Sequence, residues 1–517
     1  MKDLKEKLLA EIEEFRELGN KFLSGEVSIM DFKKVSGGMG VYSERNKKEF
    51  MIRLRIPSGI SSLENMNWLC DIADKYELDK FHLTTREAVQ YHNLTIDQVC
   101  GIMKDGIDND IYSRGGGGNF PRNVAMSPLT GVDKEEAFDV TPYALAVNKH
   151  FLSKITSYKF PRKFKVSFSS SDSDHGHCNV ADLGFLATIK ENEKYFRVFL
   201  GGGIGRNPQV AAEYDELIKP SDVLYHVEAM TNLFIKEGNY EDRNKARIRY
   251  ILERMGKEKF IETYKEHLKD VVDKNSGLDL IVETKKITKE GKEIELTHSR
   301  LYSQKQKGLY SVYFHPIGGQ ISVKTLREIL DKVKSVEDLE IRLTMTEGLY
   351  FRNLNGDEAK ELLDITQNIG GETALAQSVS CIGVPICQVG ILESQKMLND
   401  IINYFAEKGY NKDILPRVHI SGCGNSCAVH EIVGIGFTGK RKKVRDTVED
   451  VFELHINGAF ETGSARLGKI YGDLLAREIP EFLYELSLYI ENKNVDFYDF
   501  VQNNEDELLQ IVNKYNK

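Results

Sequence analysis

The chain has 517 residues, 7 of them cysteine, and 79 acidic against 70 basic side chains give a formal charge of −9. That length and a 41% hydrophobic content allow several ordinary globular cores. The mildly acidic balance argues against broad nucleic-acid binding, and no apolar run approaches the roughly 18 residues of a membrane span.

In chain order, "MKDLKEKLLAEIEEFRELGNKF" has charges throughout its apolar pattern, which predicts a surface helix rather than a signal peptide. A cytoplasmic protein is therefore expected, in a compartment where sparse cysteines point to metal ligation or redox chemistry rather than disulfides. "EFMIRLRIP" reads as a strand, and "SSLENMNWLCDIADKY" as a helix with a Ser N-cap. Glycine runs in "SRGGGGNFPRN" and "FLGGGIGRNP" mark turns or close backbone approach to a ligand, and neither carries the Lys-Ser/Thr ending of a P-loop. The charged stretch 284–308 reads as a linker, after which "GLYSVYFHP" and "SVKTLREILDKVKSV" repeat the strand and the Ser-capped helix.

The second part of the chain repeats the first in other places too. "FHLTTREAVQYHNL" at 81–94 matches "IRLTMTEGLYFRNL" at 341–354, an offset of 260 residues. "KFKVSFSSS" at 163–171 matches "RVHISGCGN" at 417–425, an offset of 254, and both lead to a Gly-Phe strand at an offset of 252. Two pairs in the same order favour duplication over chance, and alternating strands and helices make the class α+β.

Four cysteines fall in two short loops: Cys381 and Cys387 in "CIGVPIC", and Cys423 and Cys427 in "CGNSC". Four thiolates suit either a tetrahedral zinc ion or an iron–sulfur cube. Cys70, Cys100 and Cys178 stand alone and read as small buried hydrophobes. The match at 254 sets Ser169 opposite Cys423, just after "PRKFK", where Lys163 and Lys165 share a strand face. Arg53 and Arg55 repeat that same-face pattern, Arg122 adjoins a glycine run, and Arg86 lies in a half-apolar strand. Such a gathering of cations near a metal centre is costly unless anions sit there. "SSSDSDHGHCNVADLGF", with Asp172, Asp174, His175 and His177, is expected to be a surface loop rather than a small metal site.

Through "FMIRLRIPSG", "HLTTREAVQYH", "NFPRNV", "PRKFKV", "FLGGGIGR", "DRNKARIRYILERMG" and the two cysteine pairs, the chain resembles the sirohaem- and 4Fe-4S-dependent sulfite and nitrite reductases. The resemblance implies a duplicated pseudo-twofold architecture of mixed sheets flanked by helices. It implies a helical leader at 1–36, ferredoxin-like half-domains at 37–110 and 309–372, a sirohaem and substrate domain at 111–283, the linker at 284–308, and a cluster and sirohaem domain at 373–517. It further implies that Cys381, Cys387, Cys423 and Cys427 hold a 4Fe-4S cluster, Cys427 also bridging to the sirohaem iron. Arg53, Arg122, Lys163 and Lys165 would surround the substrate. Arg86, Gln90, His92, Arg206, Arg243, Arg247 and Arg249 would hold the polycarboxylate macrocycle.

Family members that favour sulfite tend to carry Lys-x-Lys where this chain has Lys163-Phe164-Lys165, so six-electron reduction of sulfite is expected, with nitrite reduction as the alternative and a non-catalytic iron–sulfur or zinc scaffold as a more distant one. Gly424 stands where a proline is common in the family. Electrons must come from a ferredoxin or a separate flavoprotein, and the basic run "GKRKKVR" at 439–445 is the candidate docking face.

Overall fold

The computed structural model of the chain describes residues 2–274 and 277–517. Two helices, Lys2–Ser24 and Ile29–Ser36, lead into four five-stranded sheets. The first contains, in spatial order, Val41–Ser43, Phe50–Arg55, Ala88–Leu94, Lys80–Leu83 and Gln320–Ser322. Its copy runs Leu301–Ser303, Leu309–Phe314, Leu349–Asn355, Glu340–Leu343 and Ile60–Ser61. Each sheet thus ends on a strand contributed by the other half, with Ile321 opposite Phe81 and Ile341 opposite Ser61. One hydrophobic core, including Phe50, Leu54, Val89, Val312, Phe314 and Phe351, runs through both.

Local chemistry repeats along with the topology. Ser62 and Ser322 cap the helices Leu63–Lys75 and Val323–Val333 as their sequence predicts, each accepting from the backbone three residues on. Thr95 with Gln98 and Asn355 with Glu358 close capping boxes on Ile96–Asp108 and Gly356–Ile365. Glu87 and Glu347, both with positive φ, are buried and accept from the backbone N–H of Met126 and Ser380. Each carboxyl so ties a ferredoxin-like sheet to the first strand of the sheet that follows it.

Those following sheets share a mixed topology. One runs Ala212–Glu213, Glu193–Leu200, Leu183–Lys190, Val166–Ser169 and Ala125–Met126; the other runs Lys469–Leu475, Thr447–Ile456, Ile435–Val444, Val418–Ser421 and Val379–Ser380. Parallel pairing sets Val166 beside Leu183 and Val418 beside Ile435. The structural offset is therefore 252 residues, which corrects the match made on sequence: Ser171, not Ser169, stands where the other half has Cys423, and Lys165 corresponds to Arg417. A slip of two residues leaves every strand side chain on its own face, so alternation in the sequence could not reveal it.

The stretch 284–308 lies along the second half. Lys289 donates to the Asn353 carbonyl at 2.8 Å and pairs with Glu358, and Arg300 is buried against Glu372 and Thr366.

Candidate active site

The two cysteine loops lie side by side at the seam between the halves. The loop 381–390 is held by the N-terminal part of the chain: Arg45 donates to the Gly390 carbonyl at 3.0 Å, its backbone N–H to the Ile386 carbonyl, and Gln388 reaches Ser43 at 2.6 Å. Gly422 N–H points at the Cys381 sulfur at 3.2 Å, and Thr85 donates to the Cys427 carbonyl at 2.7 Å. Burial pushes the Cys381, Cys387 and Cys423 thiols up, and the other cysteines of the set, Cys427 in each case, push the same way. Buried thiols gathered this way need a shared cation to become thiolates. Among the described residues no three His, Cys, Asp or Glu side chains close around a single ion. Four cysteines in two adjoining loops match the four irons of a cube.

Facing Cys427 from the first half is a field of cations. Lys163 and Lys165 precede the strand Val166–Ser169 as extended backbone around buried Phe164. Burial lowers the Lys165 ammonium to about 7, with Arg86 and Arg247 adding to the effect and Asp182 and Cys427 opposing it. Burial, Lys165 and Arg247 take Lys163 well below its ordinary value. Burial likewise brings Arg122 down to about 9; Tyr42 opposes, and Arg53, Arg162 and Arg55 assist. Among the described residues Arg53, Arg122, Arg162, Lys163 and Lys165 have no carboxylate in ion-pair contact. The glycine run supplies carbonyls instead: Arg122 donates to Gly117 at 2.5 Å and Gly118 at 2.9 Å, and Arg53 to Gly116 at 2.8 Å. Gly118 makes this possible with φ +62° and a would-be Cβ only 2.8 Å from Gly38 N.

The remaining residues expected at the macrocycle separate into two groups. Arg86 is spent on protein, donating to the Asn123 and Val166 carbonyls and to the Ser167 hydroxyl. Gln90 is buried with its amide at Met51 sulfur, and Arg247 forms a two-pronged buried pair with Asp182. These three brace strands within the first half. Arg206 and Arg243 are exposed, while Arg249 donates to the Ile204 carbonyl at 3.3 Å and leaves its buried Nε unpartnered. His92 contacts Glu44 through Nδ1 at 3.2 Å and keeps a buried Nε2 without a partner. Unpaired buried nitrogens at Arg249 and His92 and a surplus of cations are what a polycarboxylate macrocycle would satisfy.

Asp182 was missed in the sequence, where "ADLGF" reads as the start of an ordinary strand. It is fully buried, accepts both prongs of Arg247, and takes the Lys165 backbone N–H at 2.8 Å. Two expectations are corrected. The loop 170–178 is exposed at Asp172 and His175 but buried at its centre, where Asp174 accepts from Ser169, Cys178 and Asn179. The basic run 439–445 is not an open docking face at its first three charges, since Lys440 pairs with Glu453 and Asp473, Arg441 with Asp450, and Lys442 with Asp473.

Comparison with known proteins gives the same picture. The profile for the "Nitrite and sulphite reductase 4Fe-4S domain" matches residues 117–272, and that for the "Nitrite/Sulfite reductase ferredoxin-like half domain" matches 42–106 and 302–369. The chain is 25% identical over 463 residues to Sulfite reductase (ferredoxin) 1 of Mycolicibacterium paratuberculosis, covering 86% of this chain and 80% of that protein. It is 24% identical over 415 residues to the chloroplastic ferredoxin–nitrite reductase of Oryza sativa subsp. japonica, covering 78% of this chain and 68% of that one. In structure it is similar to the NirA protein of Mycobacterium tuberculosis, with a TM-score of 0.80, 22% identity, and coverage of 98% of this chain and 96% of that one.

Fold and site together define an oxidoreductase that works with sirohaem and a 4Fe-4S cluster. The chain belongs to the nitrite and sulfite reductase family. None of its described helices is long and apolar enough to cross a membrane.

Proposed function

We propose that this chain reduces sulfite to sulfide with six electrons. The observation that carries the reading is the set of five basic side chains, Arg53, Arg122, Arg162, Lys163 and Lys165, that among the described residues have no carboxylate in ion-pair contact and that adjoin one another up to Lys165, which lies close enough to Cys427 for the two charges to act on each other. A dianion gains more from such a field than a monoanion does. Cys381, Cys387, Cys423 and Cys427 would hold the cluster, with Cys427 shared with the sirohaem iron. Arg249, His92, Arg206 and Arg243 would meet the macrocycle carboxylates, while Arg86, Gln90 and Arg247 keep the strands beneath it in place.

When bound, the joined cofactors supply stored electrons next to an open iron position. The chain's own residues bind and orient the anion. Arg53 and Arg122 are clamped by glycine carbonyls, so their rigid forks hold position. Lys163 and Lys165, whose proton affinity burial has lowered, can hand protons to departing oxygens. A ferredoxin or a separate flavoprotein would deliver electrons, and the neighbourhood of Lys33 and Arg45, which touch the Cys387 loop, suits its approach better than the self-paired run at 439–445.

Nitrite reduction is the second reading, favoured by relatives of both names at nearly equal identity. The test is kcat/KM for each anion, before and after Lys165→Asn. We expect the sulfite-to-nitrite ratio to fall about tenfold; a ratio that stays put overturns the role given to the lysine pair.

A further inference from the structure

Beyond the seam, a line of polar side chains crosses the interior of the cysteine-bearing half. Ser421 accepts the Ala428 N–H at 3.2 Å and meets His430 Nδ1 at 2.9 Å. His430 Nε2 contacts the Thr438 hydroxyl, which stands 3.5 Å from His455 Nε2. His455 Nε2 lies 3.1 Å from Glu453, and Glu453 pairs with Lys440, itself 3.2 Å from Asp473 at the protein surface. Ser421, His430, Thr438 and His455 are all at most 6% exposed, whereas Lys440 is 38% exposed.

The duplicated half provides an internal control. At the structural offset His430 corresponds to Cys178 and Thr438 to Leu186, and pairing of Gly184 with Phe199 and of Gly436 with His455 equates those two residues. Cys178, Leu186 and Phe199 form a dry apolar cluster there. The fold therefore packs this position without polar groups. At these three positions polar groups occur only in the copy that carries Cys423 and Cys427, and burying them is costly unless they are used.

We propose that His430, Thr438, His455 and Glu453 form a proton-uptake line that offsets the negative charge gained by the cysteine-bearing site when an electron arrives. The inference rests on the reading that Cys423 and Cys427 bind the iron–sulfur cluster. The step balances as one electron from the external carrier and one proton from solvent. An O–H bond of a hydronium at the Lys440–Asp473 end breaks, the proton passes Glu453, His455 and Thr438, and an N–H bond forms on His430. His430 suits the task because both ring nitrogens are engaged, so a proton can enter at one and shift the hydrogen bond at the other. It stands three residues beyond Cys427 and contacts Ser421 and Thr438. Burial, with His455 and His419, keeps it neutral at rest and so able to accept. The charged and titratable groups facing the pair are Glu431 at 3.5 Å from His430, His419 from the adjacent strand, Glu453 from the strand of His455, and Lys440 and Asp473 beyond it.

The test is a potentiometric titration of the cluster in the loaded full-length chain, followed by electron paramagnetic resonance from about pH 6 to about pH 9. The line predicts that each unit of rising pH disfavours reduction about tenfold, or about 59 mV for one electron. His430→Gln, which removes the accepting nitrogen, should flatten that slope, while Thr438→Val, which keeps the shape and removes the hydroxyl, and Glu453→Gln should keep the equilibrium slope and slow cluster reduction in stopped flow, with cluster content and spectra unchanged. A wild-type potential independent of pH, a slope that survives in His430→Gln, or reduction of Thr438→Val and Glu453→Gln at the wild-type rate overturns the line. Absence of bound cluster from the wild type overturns the ligand reading as well, and iron content distinguishes that case from failure of the line alone.

Discussion

The loops 170–178 and 422–430 share one backbone path and do opposite things with it. Asp174 and Ser426 occupy matching positions with φ 47° and 52°, as do His177 and Val429 with φ 58° and 63°. In the first copy the Asp174 carboxylate gathers the Ser169 hydroxyl, the backbone N–H groups of Cys178 and Asn179, and the Asn179 amide, so the loop satisfies itself. In the second copy a serine replaces that carboxylate, and Cys423 and Cys427 remain available to a ligand from outside. The difference teaches that one backbone path can be tied to itself, through Asp174, or to its surroundings, through Ser426, whose hydroxyl donates to Glu431.

The sharpest way to break this comparison is to alter the equivalent residues Cys427 and His175. Cys427→Ser should lower multielectron turnover about a hundredfold or more, with altered visible bands, because a cofactor ligand is lost. His175→Ser, on an exposed side chain, should leave turnover within about twofold. Steady-state reduction with iron analysis on both proteins checks the pair, and equal losses would erase the distinction between the loops.

A second effect sharpens the comparison at the buried glutamates. Burial raises Glu87 to about 8, although Arg86 and the Met126 N–H oppose it, and burial raises Glu347 well above its ordinary value, opposed by the Ser380 N–H. A carboxyl whose folded pKa lies above its unfolded value near 4.5 contributes fully below 4.5; that contribution falls as pH rises and is lost by about pH 8. Glu87→Gln should remove this decline, on the order of 5 kcal/mol across that window. Denaturant midpoints at several pH values for the wild type and variant measure it. Smallest of all, Thr95→Ala and Asn355→Ala should each cost about 1 kcal/mol by the same measurement, because they break the same capping box twice.

Much of this was legible in the residues. Ser62 and Ser322 announced their helices, the repeated Leu-Thr and Asn-Leu segments announced the duplication, and the thiols of two loops expected to share a site do lie in adjoining loops. Partnerships between distant segments were not legible. Asp182 draws its role from Arg247, 65 residues later, and the polar line from Ser421 to Asp473 is assembled across four strands. The neutralising of Lys440, Arg441 and Lys442 likewise needs the strands that carry Glu453, Asp450 and Asp473. The register of the second repeat was hidden for a simpler reason: period two looks the same after a slip of two.

The exchange of end strands, Ile60–Ser61 for Gln320–Ser322, has a consequence for motion. Each half holds the other by main-chain bonds inside a common core, so the seam cannot gape like two domains on a hinge. A bulky planar prosthetic group must then enter past the glycine and cysteine loops at the rim, or be enclosed while the two halves fold together. Neither half, expressed alone, would complete its own sheet.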